Sequence, residues 1–142
     1  MSHFTKLFCL LTLAISASAG LIARDTSSAP PRRYDQVFSG STFDPNDPLV
    51  RDAAIEGDGY LTFTITEGLA ACWDFCDSTD GCIFVNRYFE YRDPNLPQPA
   101  VKCSAYSQVH GAEDKTNFGG QILDPRLGPT FIQASFGYAA EI

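Results

Sequence analysis

Residues 71–82 read ACWDFCDSTDGC: three cysteines in twelve residues at a C-x3-C-x5-C spacing, with the chain's one tryptophan, Trp73, between the first two. Metal binding, redox chemistry and structural cross-linking all use clustered cysteines, and the compartment separates them. The N-terminus speaks to the compartment. MSHFTK carries one lysine, LFCLLTLAIS is an apolar run, and Ala17-Ser18-Ala19 has the small-x-small pattern of a cleavage point. The run falls well short of the roughly 20 apolar residues that span a bilayer. Residues 1–19 are therefore read as a secretory signal peptide rather than as a buried first helix. Cys9 leaves with it, and the mature chain keeps Cys72, Cys76, Cys82 and Cys103.

An even cysteine count in a small secreted chain reads as a disulfide framework. A zinc site would want C-x2-C pairs or histidine partners. The mature chain has one histidine, His110, and no C-x2-C pair. Thioredoxin-type chemistry wants C-x-x-C, and C-x3-C is the wrong spacing. No metal and no cofactor is expected.

Composition bounds the rest. About 120 mature residues make one domain. Hydrophobic residues at 44% and aromatics at 13% suffice for a core. The formal charge is −7, and it becomes −8 once Lys6 leaves, because all seventeen acidic residues follow Ala19. An acidic chain of this kind is not expected to bind nucleic acid or anionic membranes nonspecifically. It carries no second hydrophobic run for membrane insertion. It is expected to be extracellular or held in a cell wall.

Along the chain, residues 20–33 (GLIARDTSSAPPRR) form a Pro/Ser-rich lead without periodicity, read as disordered. Its end, Arg32-Arg33, is either a dibasic processing site closing a propeptide or a solvated charge pair. The folded domain is placed at 34–142. YDQVFSGSTF (34–43) reads as a strand entering a turn, and FDPNDPLVRD (43–52) as a loop. GYLTFTIT (59–66) alternates, with Leu61, Phe63 and Ile65 on one face and threonines on the other, as a half-buried strand does. Thr66 is positioned to cap a helix with Glu67 in its first turn. Leu69, Cys72, Trp73 and Cys76 then share one helical face. CIFVNRYFEY (82–91) is apolar at both parities at its start and suits a central strand. RDPNLPQPA (92–100) projects, VKCSAYSQV pairs back, HGAEDKTNFGGQ (110–121) is a polar loop, and TFIQASFGYA closes the sheet. The fold class is α+β, one short helix packed on an antiparallel β-sheet.

Four cysteines allow three pairings. Cys72 and Cys76 sit one helical turn apart with parallel Cβ vectors, which disfavours joining them. Cys76 near the helix end reaches Cys82 at the start of the next strand. Cys72 then reaches Cys103 on the neighbouring strand and pins the helix to the sheet.

The stretch ACWDFCDSTDGCIFVNRYFEY with KCSAYS resembles the core of a PAN/apple domain over about residues 68–108. In that family a helix with two cysteines is clipped to the central sheet by the same two bridges. The third, terminus-joining bridge of apple domains has no counterpart here, so the resemblance is PAN-like. Over about residues 34–138 the chain also resembles small secreted proteins of mushroom-forming (basidiomycete) fungi described as fruit-body-specific. The PAN-like resemblance implies a binding module for protein or carbohydrate. The alternative is a non-catalytic matrix protein of the fungal wall.

No catalytic signature appears: there is no G-x-S-x-G elbow, no H-E-x-x-H and no phosphate-cradling glycine loop, and no enzyme activity is expected. His110 and Asp114 are spaced for a polar pair, but a single histidine in a loop reads as solvated. Asp74, Asp77 and Asp80 lack the glycine and distal glutamate of a calcium loop. Phe84, Tyr88, Phe89, Tyr91 and Trp73 read as core and cross-strand packing. A ligand is expected on two loops. One is 92–100, with Arg92 and Asp93 at its base. The other carries Glu113, Asp114, Lys115 and Asn117.

Overall fold

The computed structural model describes residues 31–47 and 49–142, so the expected signal peptide and the expected lead up to residue 30 lie outside the described residues. Among the described residues the chain forms one α-helix and seven strands. They are β1 (Tyr34–Phe38), β2 (Ala54–Ile55), β3 (Tyr60–Ile65), α1 (Leu69–Asp77), β4 (Phe84–Tyr91), β5 (Ala100–Tyr106), β6 (Lys115–Asn117) and β7 (Phe131–Ala140). Five of the strands make an antiparallel sheet in the order β1-β7-β4-β5-β3. β2 and β6 form a separate two-stranded ribbon.

β4 is the centre of this arrangement. Its run of alternating buried side chains is covered on both sides, which is why it is apolar at both parities at its start. Val85 faces α1, where it packs with Cys72, Cys76, Cys82, Cys103 and Ala105. Phe84 and Tyr88 face the other way, toward Phe38, Ile55 and Tyr106 and toward Ala54 and Ile132.

The two bridges join Cys72 to Cys103 and Cys76 to Cys82, with Cα–Cα separations of 5.6 and 5.4 Å. The first ties the middle of α1 to β5. The second closes the turn from α1 into β4. All four cysteines are buried, so the bridges form part of the core beneath the helix.

Several expectations give way. α1 starts at Leu69 with Gly68 at its N-cap and no side-chain cap. Thr66 lies two residues ahead of that cap, and its backbone N–H instead donates to the Val101 carbonyl, which continues the β3–β5 ladder. β3 is an edge strand: Leu61 and Phe63 are 37% and 46% exposed, because no layer covers the end of the sheet where they lie. β7 does not close the sheet but lies inside it, and β1 takes that edge. β7 carries a bulge at Ala134, with φ of 49°, held from outside by the Ser41 hydroxyl on the Ala134 N–H. The segment 110–121 is only partly loop, since it contains a 3-10 turn (Ala112–Asp114) and β6.

The Arg32-Arg33 pair is not simply solvated. The Arg32 guanidinium donates to the Cys76 and Cys82 carbonyls at 3.0 and 2.7 Å and to Asp77 at 2.7 Å. A cation at the last turn of a helix satisfies carbonyls that have no partner within the helix. The Arg33 carbonyl accepts from the Glu141 N–H, so β1 is tied to the chain's other end.

Candidate functional site

The sheet side away from α1 holds the chemistry. Its cover, the β2–β6 ribbon, sets only Ala54 and Ile55 into the apolar core and is otherwise held by polar side chains. Asn86, fully buried on β4, accepts from the Ile55 N–H at 2.8 Å and donates to the Ser135 hydroxyl and the Phe136 carbonyl. The Tyr106 hydroxyl donates to the Ile55 carbonyl at 2.9 Å. Ile55 of β2 is therefore gripped at both backbone groups by side chains of central strands. A buried backbone group left unpaired is costly, so these two side chains fix where β2 sits.

Asp52 is the second anchor. One carboxylate oxygen accepts from the Ser41 and Ser135 N–H groups at 2.7 and 2.8 Å, and the other from Ala53 at 2.8 Å and from the Lys115 ammonium. Burial alone would raise this carboxyl's pKa. The hydrogen bonds from Lys115, Ser135, Ser41 and Ala53 outweigh it and hold the pKa below the ordinary value. Lys115, placed by the sequence on a ligand loop, is spent on this pair, with its side chain 14% exposed.

His110 is the third. It is buried, edge-on to Tyr106 and Phe84 at 4.9 and 5.7 Å. Nδ1 lies 2.8 Å from the Asp114 carboxylate and Nε2 2.9 Å from the Asp58 carbonyl. The polar pair seen in the i, i+4 spacing exists, but its histidine is a joint between the 57–58 and 112–114 segments rather than a solvated loop residue. Neither ring nitrogen is left for a substrate. Its contact with Gly57 is close enough that a Cβ there would sit 2.7 Å from the ring.

Between this suspended ribbon and strands β3 and β5 lies a pocket of about 310 Å³. Tyr60, Phe63, Tyr88 and Tyr106 contribute aromatic rings to its wall, and Glu56, Lys102, Ser104 and Asn117 contribute polar groups. Tyr60 and Tyr106 meet edge-to-face at 5.7 Å. The Lys102 ammonium stands 4.9 Å from the centre of the Phe63 ring and pairs with Glu90. Burial raises the phenol of Tyr88 to about 12 and that of Tyr106 higher still, so both remain hydroxyl donors across the physiological range.

The residues expected to bind a ligand are not brought together. Arg92 and Asp93 hold their own turn: the Arg92 N–H donates to Gln98 Oε1, and Asp93 accepts from the Asn95 N–H at 2.9 Å. The Arg92 guanidinium lies 5.1 Å from the centre of the Phe131 ring, which stacks on Tyr91 at 4.5 Å. Asp114 is occupied by His110. Asn117 reaches the pocket wall, while its side-chain oxygen accepts from the Gly119 N–H. Of the six, Asn117 alone lines the aromatic pocket. Phe63 was missed as a site residue because alternation in GYLTFTIT implied burial of its face, and no local pattern set Tyr60 or Lys102 apart. The signal in reach was the aromatic content of a strand at the end of the chain's sheet order, which sequence alone does not disclose.

On the helix side, Trp73 stacks on Tyr34 at 5.6 Å and meets Tyr138 edge-on at 6.2 Å. It is packed against the cysteine-rich core as a half-buried wall. Asp77 accepts from Arg32 and from the Tyr34 hydroxyl at 2.6 Å, so the acidic run on α1 contributes to attaching β1. Among the described residues no group of three or more His, Cys, Asp or Glu is arranged to hold a metal ion, and no helix is long and apolar enough to cross a membrane.

Comparison of the chain with protein-family models, with curated proteins and with solved structures finds no match.

Proposed function

We propose that this chain is a secreted, disulfide-stabilised binding module of PAN/apple-like type. It recognises protein or carbohydrate outside the cell, in keeping with the fungal fruit-body proteins its sequence resembles. The observation that carries this reading is the aromatic pocket over β3 and β5: exposed rings beside polar groups, on a sheet clamped to a helix by two bridges. Concave sites with a few placed polar groups are where small ligands and chain segments are held.

The alternative is a matrix protein acting in bulk, and one observation favours it. β3 is an uncharged, largely exposed edge strand, YLTFTI, without the lysine or proline that blunts such edges. Equilibrium binding of the mature protein to a panel of oligosaccharides and extracellular protein fractions separates the two. Saturable binding to one partner supports the module. Retention on wall polysaccharide that salt removes, with light scattering that grows with protein concentration, supports the matrix role.

A further inference from the structure

We infer that the pocket between β3, β5 and the β2–β6 ribbon takes a single pyranose ring of a saccharide that carries no acid group. This deepens the binding-module reading and rests on it.

Size comes first. At about 310 Å³ the pocket is at the low end of the roughly 300–1,000 Å³ that small-ligand sites span, which suits one ring rather than a folded peptide segment. Its surface chemistry comes next. Tyr60 and Phe63 leave 51% and 46% of their surface in solvent, at positions where burial would have been expected from their apolar character. Such rings offer a flat apolar face with water at the edge, which matches the alternating C–H and hydroxyl faces of a pyranose. Hydroxyl partners are at hand in Ser104, in the Tyr88 phenol, in the Tyr106 oxygen as an acceptor only, since its proton goes to the Ile55 carbonyl, and in the Asn117 amide, whose oxygen alone is used by Gly119.

Charge decides the class. Lys102, the one cation in the wall, is already paired with Glu90. Glu56, exposed on the rim, has no cationic partner among the described residues. The wall plus this ion pair therefore presents one uncompensated negative charge, on a chain whose formal charge is −7. A uronate or a sulfated ring would meet repulsion there. A neutral ring is accepted, and a ring with a free amino group gains an ion pair with Glu56.

The test uses the full mature chain with both bridges intact. Titration calorimetry is run against neutral, free-amino and uronic oligosaccharides of matched length. We expect neutral and amino oligomers to bind and the uronic series to bind at least about tenfold more weakly, or about 1.4 kcal/mol. Tyr60→Ala and Phe63→Ala should each weaken binding about tenfold with the melting temperature held within about 3 °C. Glu56→Lys should reverse the order, favouring uronates. That variant tests the charge argument even if an aromatic variant fails to fold. The inference is overturned if affinity stays within about twofold in both aromatic variants, if uronates bind best to the unaltered chain, or if no saccharide binds at about 10 mM. If no saccharide binds but a protein partner binds saturably, the pocket assignment falls while the module reading stands. If neither class binds, both fall.

Discussion

The two sides of the sheet are held in opposite ways. Against α1 the contact is apolar and covalent: Val85, Ala105 and four cysteines, with Leu69, Trp73 and Phe75 packed around them. Against the β2–β6 ribbon two small apolar clusters around Ala54 and Ile55 are joined by contacts that are polar and directional: Asn86 and Tyr106 on Ile55, Asp52 on Lys115 and three backbone amides, His110 on Asp58 and Asp114. The covalent side has no free geometry, because a bridge holds its two Cα atoms near one separation. The polar side is specific but can be opened one bond at a time. The pocket lies on the polar side, where the ribbon leaves the aromatic rings of β3 half uncovered.

The largest effect should come from breaking the covalent side. Replacing Cys72 and Cys103 together by alanine opens a loop spanning 31 positions, which in the chain-entropy model costs about 4 kcal/mol. Denaturant unfolding of the double variant measures it. A loss below about 1 kcal/mol would mean that α1 is held by packing alone, and the contrast between the sides would fail.

Next is the polar side at its hub. Asp52→Ala strands Lys115 and three amide donors, and about 3 kcal/mol should be lost. Acid should act in the same place. The carboxyls of Asp52 and Asp77 both lie below their ordinary value of 3.8 in the folded chain. For Asp77 the burial that opposes this is outweighed by the hydrogen bonds from Tyr34 and Arg32 and by the Arg32 charge. A depressed folded pKa gives stability that is complete above the unfolded value and is lost as pH falls through the folded one. Stability should therefore decline on acidification below about pH 4, and less steeply in Asp52→Ala than in the unaltered chain. Parallel profiles would remove Asp52 from this account.

A smaller loss is expected for the second bridge. Cys76 and Cys82 close a loop spanning six positions, so the double alanine variant should lose about 2 kcal/mol, near half the effect of the first. Equal losses would show that the short bridge also carries the helix-to-sheet attachment. The smallest effect belongs to the 92–100 turn. Asp93 bonds only within its own segment, and Asp93→Ala should change the melting temperature by no more than about 3 °C, or about 0.5 kcal/mol.

How much of this was legible in the chain follows the range of the interactions. The cysteine spacing, the amphipathic face of Leu69, Cys72, Trp73 and Cys76, and the doubly apolar start of β4 are local patterns. They specified the helix, the central strand and both bridges. The helix start was misplaced by two residues because a threonine ahead of an apolar run is a capping signal only if the chain turns there, and the Thr66 N–H instead extends the β3–β5 ladder by one bond. No local pattern sets Asn86, Asp52 and Gln133 apart in the sequence. Their burial depends on partners far along the chain, as with Gln133, whose amide donates to the Asp47 and Val50 carbonyls and accepts from the Asp44 N–H.

By itself, then, the sequence determined an α+β fold with a helix stapled to an antiparallel sheet, because bridges and periodic apolar faces are written in short spacings. Only the tertiary structure decided that β7 is interior and β3 an edge, that His110 and Lys115 are structural, and that Tyr60, Phe63, Lys102 and Asn117 share one wall. Strand order and the partners of a buried polar group are set by which distant segments can satisfy its hydrogen bonds at once, and no spacing along the chain encodes that.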